Sequence, residues 1–342
     1  MGRTKRITMK NVADRAGVSQ STVSHVINGT APISRDVEMR VREIIKEMKY
    51  VPNAVARNLK KNRTNIVGLL VPDIENAYYS EIFKRIEKLL NEKGLIVFLS
   101  STSYRPDLEK KYIETFINHN MDGIIVTYGL VDQGIYKTIV DLNIPLVIID
   151  SNVAVDGKPI PGVKVDNIQG SITAVKHLKD IGAKKICFAS EPLFNNTANE
   201  RYEGFCQGVK KYGYSEQAVI YFIEKNFQDK LELGYNIGTQ IILDGSIDAV
   251  YATSDYLAFG IIERIKDYDK GLIDKIAVMG FDNINLCNLV TPRLTTIAQP
   301  INLLCERSTE ILFKIMNEEE IDQTNFIFEP SIIIRDSTFQ KK

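Results

Sequence analysis

Apolar positions in the first fifty residues recur at helical spacing in three short runs. Met9, Val12, Ala13 and Ala16 make the first, Val23, Val26 and Ile27 the second, and Val37, Val41, Ile44, Ile45 and Met48 the third. Gly17 stands where the first helix can end in a left-handed residue, and Ser19 is placed to cap the second. Ser34 is placed to cap the third, which is expected to run to about Tyr50 before Pro52 stops it. The spacing predicts two helices joined by a tight turn, with a third packed over them. In the second helix the apolar stripe leaves Gln20, Ser21, Thr22, Ser24 and His25 toward solvent. Short hydrogen-bonding side chains near a helix N-terminus suit the major groove, although a plain helical pair with a polar outer face has the same pattern.

The stretch NAVARNLKKNRTN connects this unit to the rest of the chain. Its Asn53 to Leu59 portion is about two helical turns, too short to be stable alone, and is expected to order only with a partner. From Ile66 the pattern changes to short continuous apolar runs: IVGLLV at 66, LIVFLS at 95, GIIVTY at 123, PLVIID at 145, KICFAS at 185, DAVYAT at 248 and KIAVMG at 275. Most are separated by helix-length periodic stretches, which predicts a parallel sheet covered on both faces. About 270 residues of this pattern exceed one comfortable core.

Charge divides at the same place. Residues 1 to 63 hold 14 Lys and Arg against 5 Asp and Glu, whereas the remainder holds 29 against 38, so a basic head joins an acidic body although the whole chain is neutral. A basic head of some sixty residues is an electrostatic footprint for a polyanion. The four cysteines, Cys187, Cys206, Cys287 and Cys305, form no CxxC pair and fit small core residues in a reducing compartment. MGRTKRITMK lacks the apolar stretch of a secretory signal and no run is long enough to span a bilayer, so a cytoplasmic protein without membrane contact is expected. No enzyme signature is present: no two glycines flank a single residue, GK[ST] is absent, and His25, His119 and His177 have no neighbours at ligand spacing. Neither catalysis, a metal nor a cofactor is expected.

Three stretches in order, MKNVADRAGVSQSTVSHVING, KYVPNAVARNL and IVGLLVPDIENAYYSEI, resemble the opening of the LacI/GalR (lactose repressor) family, and the similarity extends over essentially the whole chain. The resemblance implies an all-α helix-turn-helix head at 1–63, with a hinge helix at about 53–60, and an α/β two-lobed, periplasmic-binding-protein-like body at 64–340. The lobes are expected at about 65–162 plus 294–325 and about 163–293 plus 326–338. By the same resemblance Gln20, Ser21 and His25 fall at base-reading positions. Thr8, Ser19, Thr22, Ser24 and Asn28 fall among groove-edge and phosphate contacts, and Asn53, Ala56 and Leu59 fall in the hinge, where a leucine wedges into the minor groove. His25 departs from the arginine common in the family and removes a bidentate guanine contact.

In parallel α/β folds ligands sit beyond the carboxyl ends of strands. Asp150 closes PLVIID, Asp282 closes VMGFD, and Arg201 follows the KICFAS strand; two carboxylates and a guanidinium in one cleft suit a polyol. Asn76, Tyr78 and Tyr79 lie just past the first strand, where a tyrosine face can cover the apolar side of a sugar ring. The resemblance adds Ser254 and Asp255. Plain roles compete at several positions: Asp255 and Asp282 each precede a helical stretch and suit caps, Arg201 suits a surface ion pair, and one of the two tyrosines suits the core. Ser151 stands where family repressors often carry arginine. The expectation is a homodimeric transcriptional regulator, a repressor, binding a pseudo-palindromic double-stranded DNA operator under control of a carbohydrate effector. The absence of a terminal heptad segment favours a dimer over a tetramer. The alternatives are a phosphoprotein corepressor or nucleobase effector with the same DNA mechanism, and a solute-binding protein for transport.

Overall fold

The computed structural model describes residues 7–50, 63–128, 133–193, 196–223, 229–321 and 323–338. The chain divides between Thr64 and Asn65 into two compact units.

The head is built from α1 (Met9–Ala16), α2 (Gln20–Asn28) and α3 (Arg35–Glu47). Thr8 and Asn11 cap α1 reciprocally: Asn11 N donates to Thr8 Oγ1 at 3.3 Å and Thr8 N to Asn11 Oδ1 at 2.9 Å. Gly17, with φ of +64°, ends α1 in the conformation glycine adopts without steric cost. Ser19 Oγ accepts from Thr22 N at 3.0 Å and starts α2 two residues later. Ser34 occupies the cap of α3 but its side chain makes no cap hydrogen bond; the acidic Asp36 and Glu38 of the first turn are what favour that terminus. The helix also stops at Glu47, short of the expected Tyr50. Lys49 has a φ of +49°, which a right-handed helix cannot pass through, and Tyr50 is turned back into the core beside Val12, Val23, Val26 and Val41. The expected hinge helix, with Asn53, Ala56 and Leu59, lies outside the described residues.

The body alternates strand and helix: β1 (Ile66–Val71), α4 (Ala77–Asn91), β2 (Ile96–Ser101), α5 (Pro106–Asn118), β3 (Gly123–Thr127), α6 (Gln133–Asp141) and β4 (Leu146–Ile149). A small hairpin, β5 (Ala154–Val155) and β6 (Lys158–Pro159), precedes β7 (Gly162–Val165) and α7 (Asn167–Asp180). The second half continues with β8 (Ile186–Ser190), α8 (Asn196–Lys211), β9 (Val219–Ile223), α9 (Lys230–Asp244), β10 (Ala249–Ala252) and α10 (Asp255–Tyr268). It finishes with β11 (Ala277–Asp282), β12 (Thr295–Ala298), α11 (Ile301–Met316), β13 (Asn325–Phe328) and β14 (Ser331–Ile333).

Two six-stranded sheets result, ordered β13-β7-β4-β3-β1-β2 and β14-β12-β11-β10-β8-β9. All pairings are parallel except β12 with β14. The first sheet shows why its inner strands read as unbroken apolar runs. Leu69, Ile125 and Val147 point to the face covered by α4 and α11, whereas Leu70, Ile124, Val126 and Ile148 point to the face covered by α5 and α6. Each such side chain, fully buried, contributes about 1.5–3 kcal/mol.

The chain passes between sheets three times, after β7, after β12 and after β13. These crossings correct the expected lobe boundaries by a few residues. β7 stays in the first sheet because Gly162–Val165 pair with Asn325–Phe328, which places β13 there too, while β12 belongs to the second sheet through Met279 to Asp282. Continuous ladder pairing, invisible in four-residue runs, decides where each lobe ends.

Candidate functional site

The carboxyl ends of the parallel strands of both sheets meet in one small cavity with about 330 Å³ of space between side chains, its mouth included. The first lobe supplies Asn76, Tyr78, Tyr79, Tyr128 and Asp150; the second supplies Glu191, Thr197, Arg201, Lys230 and Asp282; Gln299 comes from the segment crossing between them. Three of these close a strand with a positive φ: Tyr128 at +61°, Asp150 at +60° and Asp282 at +123°. Non-glycine residues held in this region carry backbone strain that gathers where side chains must be aimed at a site.

Asp150 is 6% exposed and its Oδ2 accepts from the Tyr78 hydroxyl, which also lies 2.9 Å from Gln299 Oε1. Its other oxygen, Oδ1, is buried with no hydrogen-bond partner among the described residues. Burial lifts the Asp150 carboxyl to about 6, opposed by the Tyr78 hydrogen bond and the Arg201 charge. Asp282 is also raised by burial, against the pull of Arg201 and Lys230. Its Oδ1 accepts from Gln299 Nε2 at 2.7 Å and lies 3.7 Å from an Arg201 terminal nitrogen.

Arg201 is fixed on three sides. Nε donates to Asn167 Oδ1 at 2.9 Å, a terminal nitrogen donates to the Thr253 carbonyl at 2.6 Å, and the guanidinium stacks 3.7 Å over the Phe281 ring. Glu191 and Lys230 form a buried ion pair at 2.7 Å, and Glu191 Oε2 accepts from Thr253 Oγ1 at 2.6 Å. Burial opposes the Glu191 charge, but Lys230 and Thr253 outweigh it and hold the carboxyl down at about 2. Bonds across the cleft mouth join the lobes, from Thr197 Oγ1 to the Asp150 carbonyl at 3.0 Å and from the Tyr256 hydroxyl to the Glu75 carbonyl at 3.2 Å.

Of the eight residues expected to bind an effector, six line this cavity. Asn76 does so while capping α4 through Tyr78 N at 3.0 Å, and Tyr79 packs edge-on against Tyr78 with ring centroids 5.1 Å apart. Ser254 and Asp255 do not. Ser254 caps α10 by accepting from Leu257 N at 3.3 Å. Asp255 is fully buried, accepting from Ile284 N at 2.9 Å, Thr296 Oγ1 at 2.5 Å and Cys287 Sγ at 3.1 Å. Asp255 ties the start of α10 to the β11–β12 connection, and neither residue lines the cavity.

Tyr128, Glu191, Thr197, Lys230 and Gln299 were not expected. The signal for two of them was present: Tyr128 and Glu191 each follow an apolar strand, as Asp150 does.

On the head, Gln20, Ser21 and Asn28 are exposed, and Thr22, Ser24 and His25 are half-buried. Thr8 and Ser19 serve as helix caps. His25 Nδ1 lies 2.9 Å from Thr30 Oγ1, and Asn28 Nδ2 donates back to the Ser24 carbonyl at 2.8 Å. Ser21 Oγ lies 2.6 Å from Ser19 Oγ, so Gln20 is the least encumbered of the candidate base readers.

A helix-turn-helix head and a two-lobed α/β cleft with an unsatisfied carboxylate define a ligand-responsive DNA-binding regulator. Comparison with known proteins agrees. Residues 8–53 match the family model for bacterial regulatory proteins of the lacI family, and residues 64–329 match that for periplasmic binding proteins and the sugar binding domain of the LacI family. The chain belongs to the LacI family of transcriptional regulators. It is 31% identical to the ribose operon repressor of Halalkalibacterium halodurans over 97% of both chains. It is 32% identical to the transcriptional repressor PurR of Pasteurella multocida over 96% of this chain and 98% of that one. The fold matches a lac repressor dimer bound to operator and the anti-inducer ONPF with a TM-score of 0.82 at 24% identity, covering 98% of this chain and 99% of that one.

Proposed function

We propose that this chain is a cytoplasmic, homodimeric repressor whose affinity for a pseudo-palindromic DNA operator is set by a small polyhydroxylated effector, a sugar or sugar derivative, held between the lobes of its body. The observation that carries the effector class is Asp150 Oδ1, a buried acceptor without a donor in a cavity that already holds Arg201, Lys230 and Asp282. Leaving such an oxygen unpaired costs about 1–3 kcal/mol. A ligand hydroxyl recovers that cost, and the tyrosine faces of Tyr78 and Tyr79 suit the apolar side of a sugar ring. A phosphoprotein corepressor docked outside the cleft gives no use to this oxygen. Among the described residues no helix is long and apolar enough to cross a membrane, which agrees with a regulator that meets DNA.

The head approaches DNA with α2 in the major groove, Gln20, Ser21 and His25 toward the bases and Thr8, Ser19, Thr22, Ser24 and Asn28 near the backbone. The effector acts by linkage: a ligand that prefers one lobe arrangement changes how well two heads engage two half-sites. Footprinting with the full chain tests this. Paired protection about one helical turn apart, altered by a sugar, is expected; a single unpaired half-site, or a footprint indifferent to every sugar, contradicts it.

A further inference from the structure

Glu191 and Lys230 place a buried ion pair in the cleft beside the groups that bind the effector. Lys230 opens α9 and Glu191 follows β8, with side chains 10% and 4% exposed. Glu191 has both oxygens engaged on its own lobe, Oε1 by Lys230 Nζ at 2.7 Å and Oε2 by Thr253 Oγ1 at 2.6 Å. An ammonium has three N–H donors, and among the described residues Lys230 gives one of them, to Glu191. The same cavity contains Asp150 Oδ1 without a donor. A group that both accepts and donates fits between such partners, and a hydroxyl is that group.

Charge then narrows the class. Asp150, Glu191 and Asp282 bring three carboxylates to the cavity, whereas Arg201 and Lys230 bring two cations. Each cation already has a carboxylate beside it, Lys230 at 2.7 Å from Glu191 and Arg201 at 3.7 Å from Asp282. Among the described residues of the cavity no positive charge is left to compensate a ligand carboxylate or phosphate, and an uncompensated buried anion is strongly disfavoured. The lobes are bridged at the cleft mouth, by Thr197 to Asp150 and by Tyr256 to Glu75, which encloses these groups.

Resting on the effector reading above, we propose that the cleft takes an uncharged sugar, and that Lys230, held and charge-cancelled by Glu191, is the second-lobe donor that selects it against sugar acids and sugar phosphates. Arg201 anchors, Asp150 accepts, and Lys230 supplies the hydrogen bond whose charge is already neutralised. Glu191 is a positioning residue in this scheme.

Calorimetric titration of the full-length chain with D-ribose, D-xylose, D-glucose and D-galactose, their aldonic acids, their terminal phosphates and D-glucosamine tests it. At least one neutral sugar is expected to bind 30-fold or more tighter than its own charged derivatives. Lys230→Met is expected to lose tenfold or more in affinity for that sugar. Glu191→Gln, which leaves the ammonium without its counter-charge, is expected to narrow the neutral-to-acid ratio at least tenfold. Equal or tighter binding of an acid, a phosphate or the amine overturns the selection while leaving a carbohydrate site standing. Unchanged affinities and ratio in both variants overturn the role of Lys230. Binding of none of these compounds by the wild-type chain overturns the carbohydrate reading itself and this inference with it. The wild-type series decides the ligand class even where a variant fails to fold.

Discussion

The hydroxyl of Tyr78 rests against one oxygen of Asp150 while the other oxygen of the same carboxylate is buried and unpaired. The two residues lie 72 positions apart in sequence and are joined because α4 begins, and β4 ends, at the same edge of the first sheet. Tyr78 therefore holds the carboxylate in place and leaves its second acceptor for a ligand.

Asp150→Asn is expected to stabilise the ligand-free protein and to weaken the effector. An amide removes the buried charge that lifts this group to about 6, so at pH 7.5 the variant gains about 1–2 kcal/mol in denaturant unfolding. Effector affinity falls by about 10–100-fold, the value of a hydrogen bond to a charged group, while operator binding is retained. Urea titration and calorimetry on the same preparation check both halves; a destabilised variant with normal effector affinity contradicts the assignment.

The pH dependence follows in sign. The folded Asp150 carboxyl holds its proton up to about 6, above the 3.8 of a free aspartate side chain. Its contribution to stability is thus fully present below the unfolded value and is lost as pH rises through about 6. Asp255, lifted by burial and then by the neighbouring Asp282 to about 7, acts in the same direction. Glu191, held at about 2, acts oppositely, and only below its own unfolded value of 4.5. A sugar hydroxyl donating to Asp150 favours the ionised form, so binding releases a proton and affinity rises from pH 5 to pH 7. Titrations in buffers of different ionisation enthalpy measure that proton; uptake on binding rules the scheme out.

Asp255→Ala separates structure from ligand contact. It leaves Ile284 N and Thr296 Oγ1 without their acceptor in a fully buried place, which costs about 2–4 kcal/mol of stability. Effector affinity of the folded fraction is expected to stay within about threefold, an effect under 1 kcal/mol. A stable variant that has lost the effector restores Asp255 to the binding set.

Gln20→Ala on the exposed face of α2 is expected to lose about 1–3 kcal/mol of discrimination at one base position in each half-site. Binding to non-cognate duplex, which depends on phosphate contacts, stays nearly the same. Competition electrophoresis with single-base operator variants reads this directly; uniform weakening across all sequences assigns Gln20 to the backbone instead.

Much of the architecture is legible in the chain. Val12, Val23 and Val41 each sit in a helically spaced apolar run, and the seven apolar runs from Ile66 onward all become strands, the inner ones covered on both sheet faces and β2 an edge strand with Ile96 and Phe98 exposed. Besides the two-residue β5 and β6, the strands that escaped notice, β7, β9, β12, β13 and β14, are three to five residues long, and β9, β13 and β14 lie at sheet edges, where burial is partial and no continuous run is required. In the cleft, Asp150 and Asp282 are legible because they end strands. Lys230 and Gln299 are not, since a lysine at a helix start and a glutamine before a proline carry no local pattern until the topology folds them inward. Ser254 and Asp255 show the converse: resemblance pointed to a ligand, whereas their hydrogen bonds run to Leu257 N and to the β11–β12 connection and neither lines the cavity.

The most direct test couples the two units in one measurement. Duplexes selected from a random pool by the full-length chain are titrated with wild-type protein and with Asp150→Asn, each with and without the neutral sugar that binds the cleft. Operator affinity of the wild type is predicted to change tenfold or more on adding the sugar, and that of the variant to stay constant. A wild-type operator affinity that does not respond to a sugar occupying the cleft contradicts the account.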